Sequence, residues 1–245
     1  MGLVALLTFA VLIVLVIARR GELVAVFARR KYGKGDIQGA ISLFGLANRI
    51  GKLGGSSLMF YGYLLLRDGQ LDLAKEILTH ASLTAVKPEL KKRVKSLLAV
   101  AEWKSGNLPL AIEMTEEAMV DFKTTNLYQN LGLMYVLSGD ARRALEFNKE
   151  AFEYNSDDLI IMDNLAEAYA LYGDTEKASE IYESLLEKEP HFPEPYYGYG
   201  QLLISKGEKT RGIELIRKSL DKKFTFLSVL QKDQVEKMLE DAENN

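Results

Sequence analysis

From Leu3 to Ala18 the chain reads LVALLTFAVLIVLVIA, an apolar run broken only by Thr8. No polar face interrupts it, so the pattern predicts a helix made for apolar surroundings on every side. At about 1.5 Å per residue, sixteen to eighteen residues reach roughly 24–27 Å, the short end of a membrane span. Arg19 and Arg20 close the run, where long basic side chains snorkel to headgroups. The positive charges that follow it (Arg19, Arg20, Arg29, Arg30, Lys31, Lys34) predict an N-terminus outside and the rest of the chain in the cytoplasm. The competing reading is a secretory signal cleaved after Ala18, where Val16 and Ala18 are small; the missing basic residues before the run and its length count against it. Leu6 stands where a myristoylation signal at Gly2 needs Ser or Thr.

Beyond Arg20 the pattern is periodic. Glycines fall at Gly35, Gly69, Gly106, Gly139, Gly173 and Gly207, with spacings of 34, 37, 33, 34 and 34 residues. Seven residues before each stand Ala28, Gly62, Ala99, Gly132, Ala166 and Gly200; five after stand Ala40, Ala74, Ala111, Ala144, Ala178 and Gly212. Eight before stand Phe27, Tyr61, Leu98, Leu131, Leu165 and Tyr199, all large and apolar or aromatic. Small residues at facing positions let two helices approach closely, and large neighbours fill the space beside them. The periodic glycine sits where the first helix must end, in a left-handed conformation that glycine adopts cheaply. Asp36, Asn107, Asp140 and Asp174 come next and suit an N-cap, while Gln70 and Glu208 take that place in the other two copies.

These positions resemble the tetratricopeptide repeat, a 34-residue helix–turn–helix unit. The fullest copies are Thr125–Asp158 and Leu159–Phe192. Tyr128, Leu131, Gly132, Tyr135, Ala144 and Ala151 match in the first; Leu165, Ala166, Tyr169, Ala178, Tyr182 and Pro190 match in the second. The resemblance implies an all-α solenoid of six repeats, at about 21–54, 55–91, 92–124, 125–158, 159–192 and 193–226, behind a transmembrane anchor at 1–20. Four departures stand out. Lys31 and Glu102 replace the usual aromatic or Leu, and the 37-residue step around Pro88 calls for a longer loop or an extended helix. Gly212 replaces the usual Ala, which is expected to weaken its helix by about 1 kcal/mol. Residues 227–245 read as a capping helix, with an apolar stripe of Leu230, Val235, Met238 and Leu239 and with Ser228 and Gln231 as a capping box.

In this family the first helices line a concave face. The resemblance therefore implies groove positions at Met59, Tyr63 and Leu66; Ser96, Val100 and Trp103; Gln129, Leu133 and Val136; Asp163, Glu167 and Ala170; Tyr197, Gln201 and Ile204. Such a groove is apolar and aromatic early in the chain and polar to acidic later, complementary to a peptide with an apolar and a basic stretch. Each aromatic among them reads equally well as packing between repeats. Some relatives clamp a C-terminal carboxylate with Lys, Arg and Asn. Asn130 and Asn164 occupy one clamp position, but its basic partners are absent, which disfavours that ligand.

Composition narrows the chemistry. There is no cysteine, and His80 and His191 are the only histidines, so disulfides, thiol catalysis and a His-rich metal site are excluded. No phosphate-loop, dinucleotide or hydrolase motif occurs. Glu116–Glu117 and Asp157–Asp158 lie in an acidic half and read as surface charge. The net charge of -3 is an average. Residues 1–104 carry 16 Lys and Arg against 7 Asp and Glu; residues 105–245 carry 15 against 27. The cluster Lys87–Lys95 reads as a solvated helix face, with headgroups or RNA as the competing partners. The sequence thus predicts a non-enzymatic scaffold without cofactor, held to a bilayer through residues 3–18 and binding a peptide or protein rather than nucleic acid. An exported protein with a cleaved signal, or a regulatory subunit of a membrane-associated enzyme, are the alternatives.

Overall fold

The computed structural model describes residues 2–120 and 122–243, and all regular structure among them is helical. The first residue of the expected anchor and the last two of the expected tail lie outside the described residues. After α1 (Gly2–Ala18), helices succeed one another in pairs. These are α2 (Arg20–Gly33) and α3 (Ile37–Ile50), α4 (Gly55–Arg67) and α5 (Leu71–Thr84), and α6 (Pro88–Lys104) and α7 (Leu108–Met119). Then come α8 (Thr125–Ser138) and α9 (Ala141–Tyr154), α10 (Leu159–Tyr172) and α11 (Thr175–Glu187), and α12 (Glu194–Ser205) and α13 (Lys209–Ser219), before a final α14 (Lys232–Glu243). The chain divides into two compact units, 1–101 and 102–245, with the division inside α6.

The six periodic glycines are the six with positive φ, between 79° and 94°. Each ends a first helix in the left-handed conformation that glycine adopts without a Cβ penalty. Behind them Asp36, Asp140 and Asp174 accept hydrogen bonds from the backbone N–H of Gly39, Arg143 and Lys177 at 2.8, 3.1 and 3.2 Å. Such a cap typically contributes about 1 kcal/mol. Asn107 differs from expectation and makes no cap bond. Pro109 occupies the second helical position there, whereas the three caps above are made to the third.

All twelve facing Ala and Gly positions are buried. Of the large residues beside them, Tyr61, Leu131, Leu165 and Tyr199 are buried too, Leu98 is partly buried, and Phe27 remains 55% exposed under the guanidinium of Arg30, 5.5 Å from its ring centroid. Lys31, out of pattern for the repeat, forms an ion pair with Asp36 across its turn at 2.7 Å. The 37-residue step is taken up by an extended helix: α6 begins at Pro88 and runs 17 residues, against 14 for α8 and α10.

Three expectations are corrected. Gly212 is not a weak point, because α12 and α13 meet backbone to backbone. A Cβ on Gly212 would stand 2.5 Å from the Gly200 carbonyl oxygen, and one on Gly200 would stand 2.7 Å from that of Gly212. The capping box at α14 is displaced by three residues: Gln231 N–H donates to Gln234 Oε1 at 3.1 Å, while Ser228 Oγ accepts from Thr225 N–H in the preceding turn. The full transmembrane span is not met either. α1 has 17 residues, and among the described residues no helix is long and apolar enough to cross a membrane. Its run is cut at Ala18 because the chain turns at Arg19 before α2 begins.

Gly212→Ala should therefore destabilise the protein by about 1–3 kcal/mol through overpacking, where helix propensity alone predicts a gain of about 1 kcal/mol. Urea unfolding of the two proteins gives the sign directly.

Candidate peptide-binding groove

In the first unit, the groove positions of α4 sit within an aromatic cluster. Tyr32 meets Phe60 edge-on at 5.1 Å, Phe60 meets Tyr63 at 6.2 Å, and Phe44 stacks on Tyr61 at 5.6 Å. Arg29 lies about 6 Å from the rings of Phe44 and Phe60, and Arg67 lies 5.7 Å from that of Tyr63. Arg67 also donates to the Tyr32 hydroxyl at 3.2 Å. Met59 and Tyr63 keep part of their surface, Leu66 is wholly enclosed, and Ser96 and Val100 on α6 are 9% and 7% exposed.

In the second unit, α8, α10 and α12 pack in sequence, α10 against both of its neighbours. Their polar residues are largely tied to one another. Gln129 donates to both oxygens of Asp158 at 2.9 and 2.8 Å, and Asp158 caps α10. Asn164, at the family's clamp position, donates to the carbonyl of Gln129 at 2.9 Å and so joins α10 to α8. Gln201 is exposed and donates to the Tyr197 hydroxyl at 2.7 Å. Leu133 is partly buried, as are Trp103 and Tyr197. Of the acidic pairs, Glu116 holds Arg143 at 2.5 Å and the Tyr135 hydroxyl at 2.7 Å, while Asp157 is almost fully exposed.

Asp163, Glu167 and Glu194 are the exception. Asp163 is 4% exposed, and its Oδ1 has no hydrogen-bond partner. Glu167 lies one turn further along α10, partly buried, and Glu194 opens α12. Burial, then the charges of Glu167 and Glu194, push the Asp163 carboxyl well above the usual range. Burial, then Glu194, push Glu167 up to about 7. Glu194 is raised by burial against the opposing pull of the Val229 N–H and Lys104. The Tyr182 hydroxyl is also driven up, first by burial and then by Glu167 and Asp163. It lies close to Gly198, where a Cβ would meet it at 2.5 Å. Among the described residues no group of His, Asp or Glu is disposed to hold a metal ion.

The chain from 220 to 231 lies against this region. Lys223 N–H donates to the carbonyl of His191 at 3.1 Å, Val229 N–H donates to Glu194 Oε1 at 3.0 Å, and Lys104 Nζ donates to the carbonyl of Ser228 at 2.6 Å. Lys104 is also 4.3 Å from the Trp103 ring and 5.7 Å from that of Phe226. Phe224 and Leu230 pack with Tyr197 against the core that Ile216, Val235 and Leu239 form with α14. The sequence pattern assigns this stretch to the end of the sixth repeat (to 226) and the start of a capping helix (from 227), but the helix begins only at Lys232. The signal in the stretch was FTFLSVL, too apolar for a solvated loop.

Residues 159–202, which contain Asp163, Glu167 and Glu194, match the family model for the tetratricopeptide repeat. Over that stretch the chain is similar to the tetratricopeptide repeat. No curated protein sequence matches it. Solved structures of the same fold include a tetratricopeptide repeat protein from Parabacteroides merdae, with TM-score 0.61 and 15% identity over 91% of this chain and 99% of that one. A thermophilic repeat protein from Thermus thermophilus gives TM-score 0.65 and 18% identity over 78% and 100%. A chain of the APC/C hetero-tetramer Cut9–Hcn1 gives TM-score 0.72 and 15% identity over 89% of this chain and 42% of that one. At these identities the likeness establishes an all-helical repeat solenoid.

The acid cluster has a consequence for stability. A carboxyl whose folded pKa is raised contributes stability that is complete below its unfolded value and lost as pH rises through the folded one. For Glu167 the window runs from an ordinary 4.5 to about 7. Glu167→Gln should be more stable than the natural protein at pH 8 by on the order of 1–3 kcal/mol and close to it at pH 4.5. Urea unfolding at the two pH values measures the difference; one that does not change with pH would contradict the assignment.

Proposed function

We propose that the protein is a membrane-held interaction scaffold whose first-helix face takes a peptide or protein segment bearing basic and apolar side chains. The observation that carries this reading is the cluster Asp163, Glu167 and Glu194, three carboxyl groups gathered in one region with Asp163 Oδ1 unpartnered. A burial of that kind is costly unless a donor completes it. The reading is one of binding rather than catalysis, in keeping with a repeat fold built around an interaction surface.

Attachment to the bilayer falls to α1. Leu6, Leu7, Phe9, Val14, Val16 and Ile17 are each more than half exposed. A helix about one turn short is accommodated where the bilayer thins and flanking basic residues snorkel, and Arg19 and Arg20 stand at that end. The same charges put the repeats on the cytoplasmic side. A second reading, export with a cleaved signal, is favoured by the break in the helix at Ala18–Arg19, which presents the candidate cleavage site in a turn.

The full chain should float with phospholipid vesicles, and a variant lacking residues 2–18 should not. Intact-mass measurement of the native protein separates the two readings, since loss of the first eighteen residues leaves only the exported one. On an array of peptides joining Lys or Arg to aromatic and aliphatic residues, the protein should bind at least fivefold tighter than its Asp163→Asn/Glu167→Gln variant. Equal binding by the two would remove the acidic cluster from the site.

A further inference from the structure

The segment Leu220–Gln231 has the composition that the acidic face calls for. Its sequence, LDKKFTFLSVLQ, places Lys222 and Lys223 ahead of a run containing Phe224, Phe226, Leu227, Val229 and Leu230. It is held as a bound peptide would be, through main-chain groups. One backbone N–H goes to the Glu194 carboxylate and one backbone carbonyl receives the Lys104 ammonium. Both bonds are made by backbone groups, which a segment of another sequence also carries, while the Ser228 side chain adds a hydrogen bond of its own to Glu194. Nor is this stretch helical: it runs through bends and turns between α13 and α14, anchored at its ends by the helices and in its middle by these two side chains.

What lies beside it is unfinished. Glu194, which holds the segment, also acts electrostatically on Asp163 and Glu167. Neither of the segment's lysines reaches those two carboxylates. Lys222 stands 4.3 Å from the Tyr196 ring, and the backbone of Lys223 is tied to His191. The segment therefore engages Glu194 and Lys104 while leaving Oδ1 of the buried Asp163 carboxyl without a donor.

We propose that residues 220–231 are an internal occupant of the binding face, an autoinhibitory strap. A partner segment of like character displaces it by taking over Glu194 and Lys104 and by delivering the Lys or Arg that Asp163 and Glu167 lack. The proposal rests on the reading of this face as a peptide site and adds how that site is controlled. A tethered competitor lowers the apparent affinity of any partner by the fraction of time the face is closed. Loosening the strap raises that affinity without altering the face itself.

The test uses the full chain, a variant loosened on the strap side (Phe226→Ala/Ser228→Ala) and one loosened on the face side (Lys104→Met). The probe is the synthetic peptide KKFTFLSVLQ together with peptides in which arginine replaces its lysines. Hydrogen exchange should show amides 225–230 opening at least tenfold more often in both variants, with helix content retained. The strap-side variant should bind the probe at least tenfold tighter than the intact chain. Lys104→Met exposes the face but lacks one anchor, so it should gain less. Equal binding of the probe to the intact and strap-side proteins overturns the strap while leaving the groove reading standing. Release of the segment with no probe bound to any form overturns both. Unchanged exchange in both variants overturns the strap, because its two anchors then do not hold it.

Discussion

The close approach of the two helices in each repeat is the constraint on which the rest of the structure depends. At Gly200 and Gly212 nothing but hydrogen separates one backbone from the other, and Ala28, Ala40, Ala166 and Ala178 at the matching positions are fully buried. Helices this close leave large side chains no room at the crossing, so tyrosines and leucines are displaced to either side. Tyr182 and Tyr199 stack at 5.4 Å beside one such crossing, and Tyr128 and Phe147 meet at 5.6 Å beside another. At Gly132 the space is filled by Asn148, which reaches across to donate to the Gly132 carbonyl at 3.1 Å. The crossing thus fixes where aromatic side chains go, and they in turn set the spacing between repeats.

That constraint is also why so much of the fold was legible. A crossing that tolerates only Ala or Gly leaves a mark at two fixed positions per repeat, and a left-handed turn leaves another at the periodic glycine. These are local steric demands, and sequence records local demands well. Gly212 shows the limit: as a single residue it reads as a poor helix former, and only the facing Gly200 backbone explains it. Asn107 is similar, since its residue type suits a cap that the structure does not form. The early end of α1 has no such marker. Nothing in an unbroken apolar run says that the chain turns at Arg19.

The acid cluster was legible in part of its membership but not in its chemistry. Asp163 and Glu167 stand at periodic positions, so a repeat pattern finds them. Their isolation from any cation is a property of the neighbours. The acidic half carries other carboxylates that are matched: Glu150 to Lys123 at 2.7 Å, Glu183 to Arg211 at 3.1 Å and Glu176 to Lys206 at 3.0 Å. Those pairs are exposed and each contributes little. The acids of the cluster are enclosed, where an unmatched charge costs far more, and protonation is the protein's own means of reducing that cost. The link from Lys104 to Ser228 spans 124 residues, and no pattern within a repeat encodes it.

A segment joined at both ends to the face it covers competes differently from a free peptide. Its effective concentration is set by the loop between α13 and α14 and is of the order of millimolar for a short flexible tether. It therefore holds the face closed even if its intrinsic affinity is modest. A partner gains over it only through contacts that the strap does not make. Those contacts are at Asp163 and Glu167, where a donor replaces an unsatisfied buried group and the gain is correspondingly large. Discrimination then follows from the defect itself. A segment that is merely apolar repeats what the strap already provides and does not displace it. One whose basic side chain reaches the unpartnered carboxyl does, because it relieves a cost that the closed state retains.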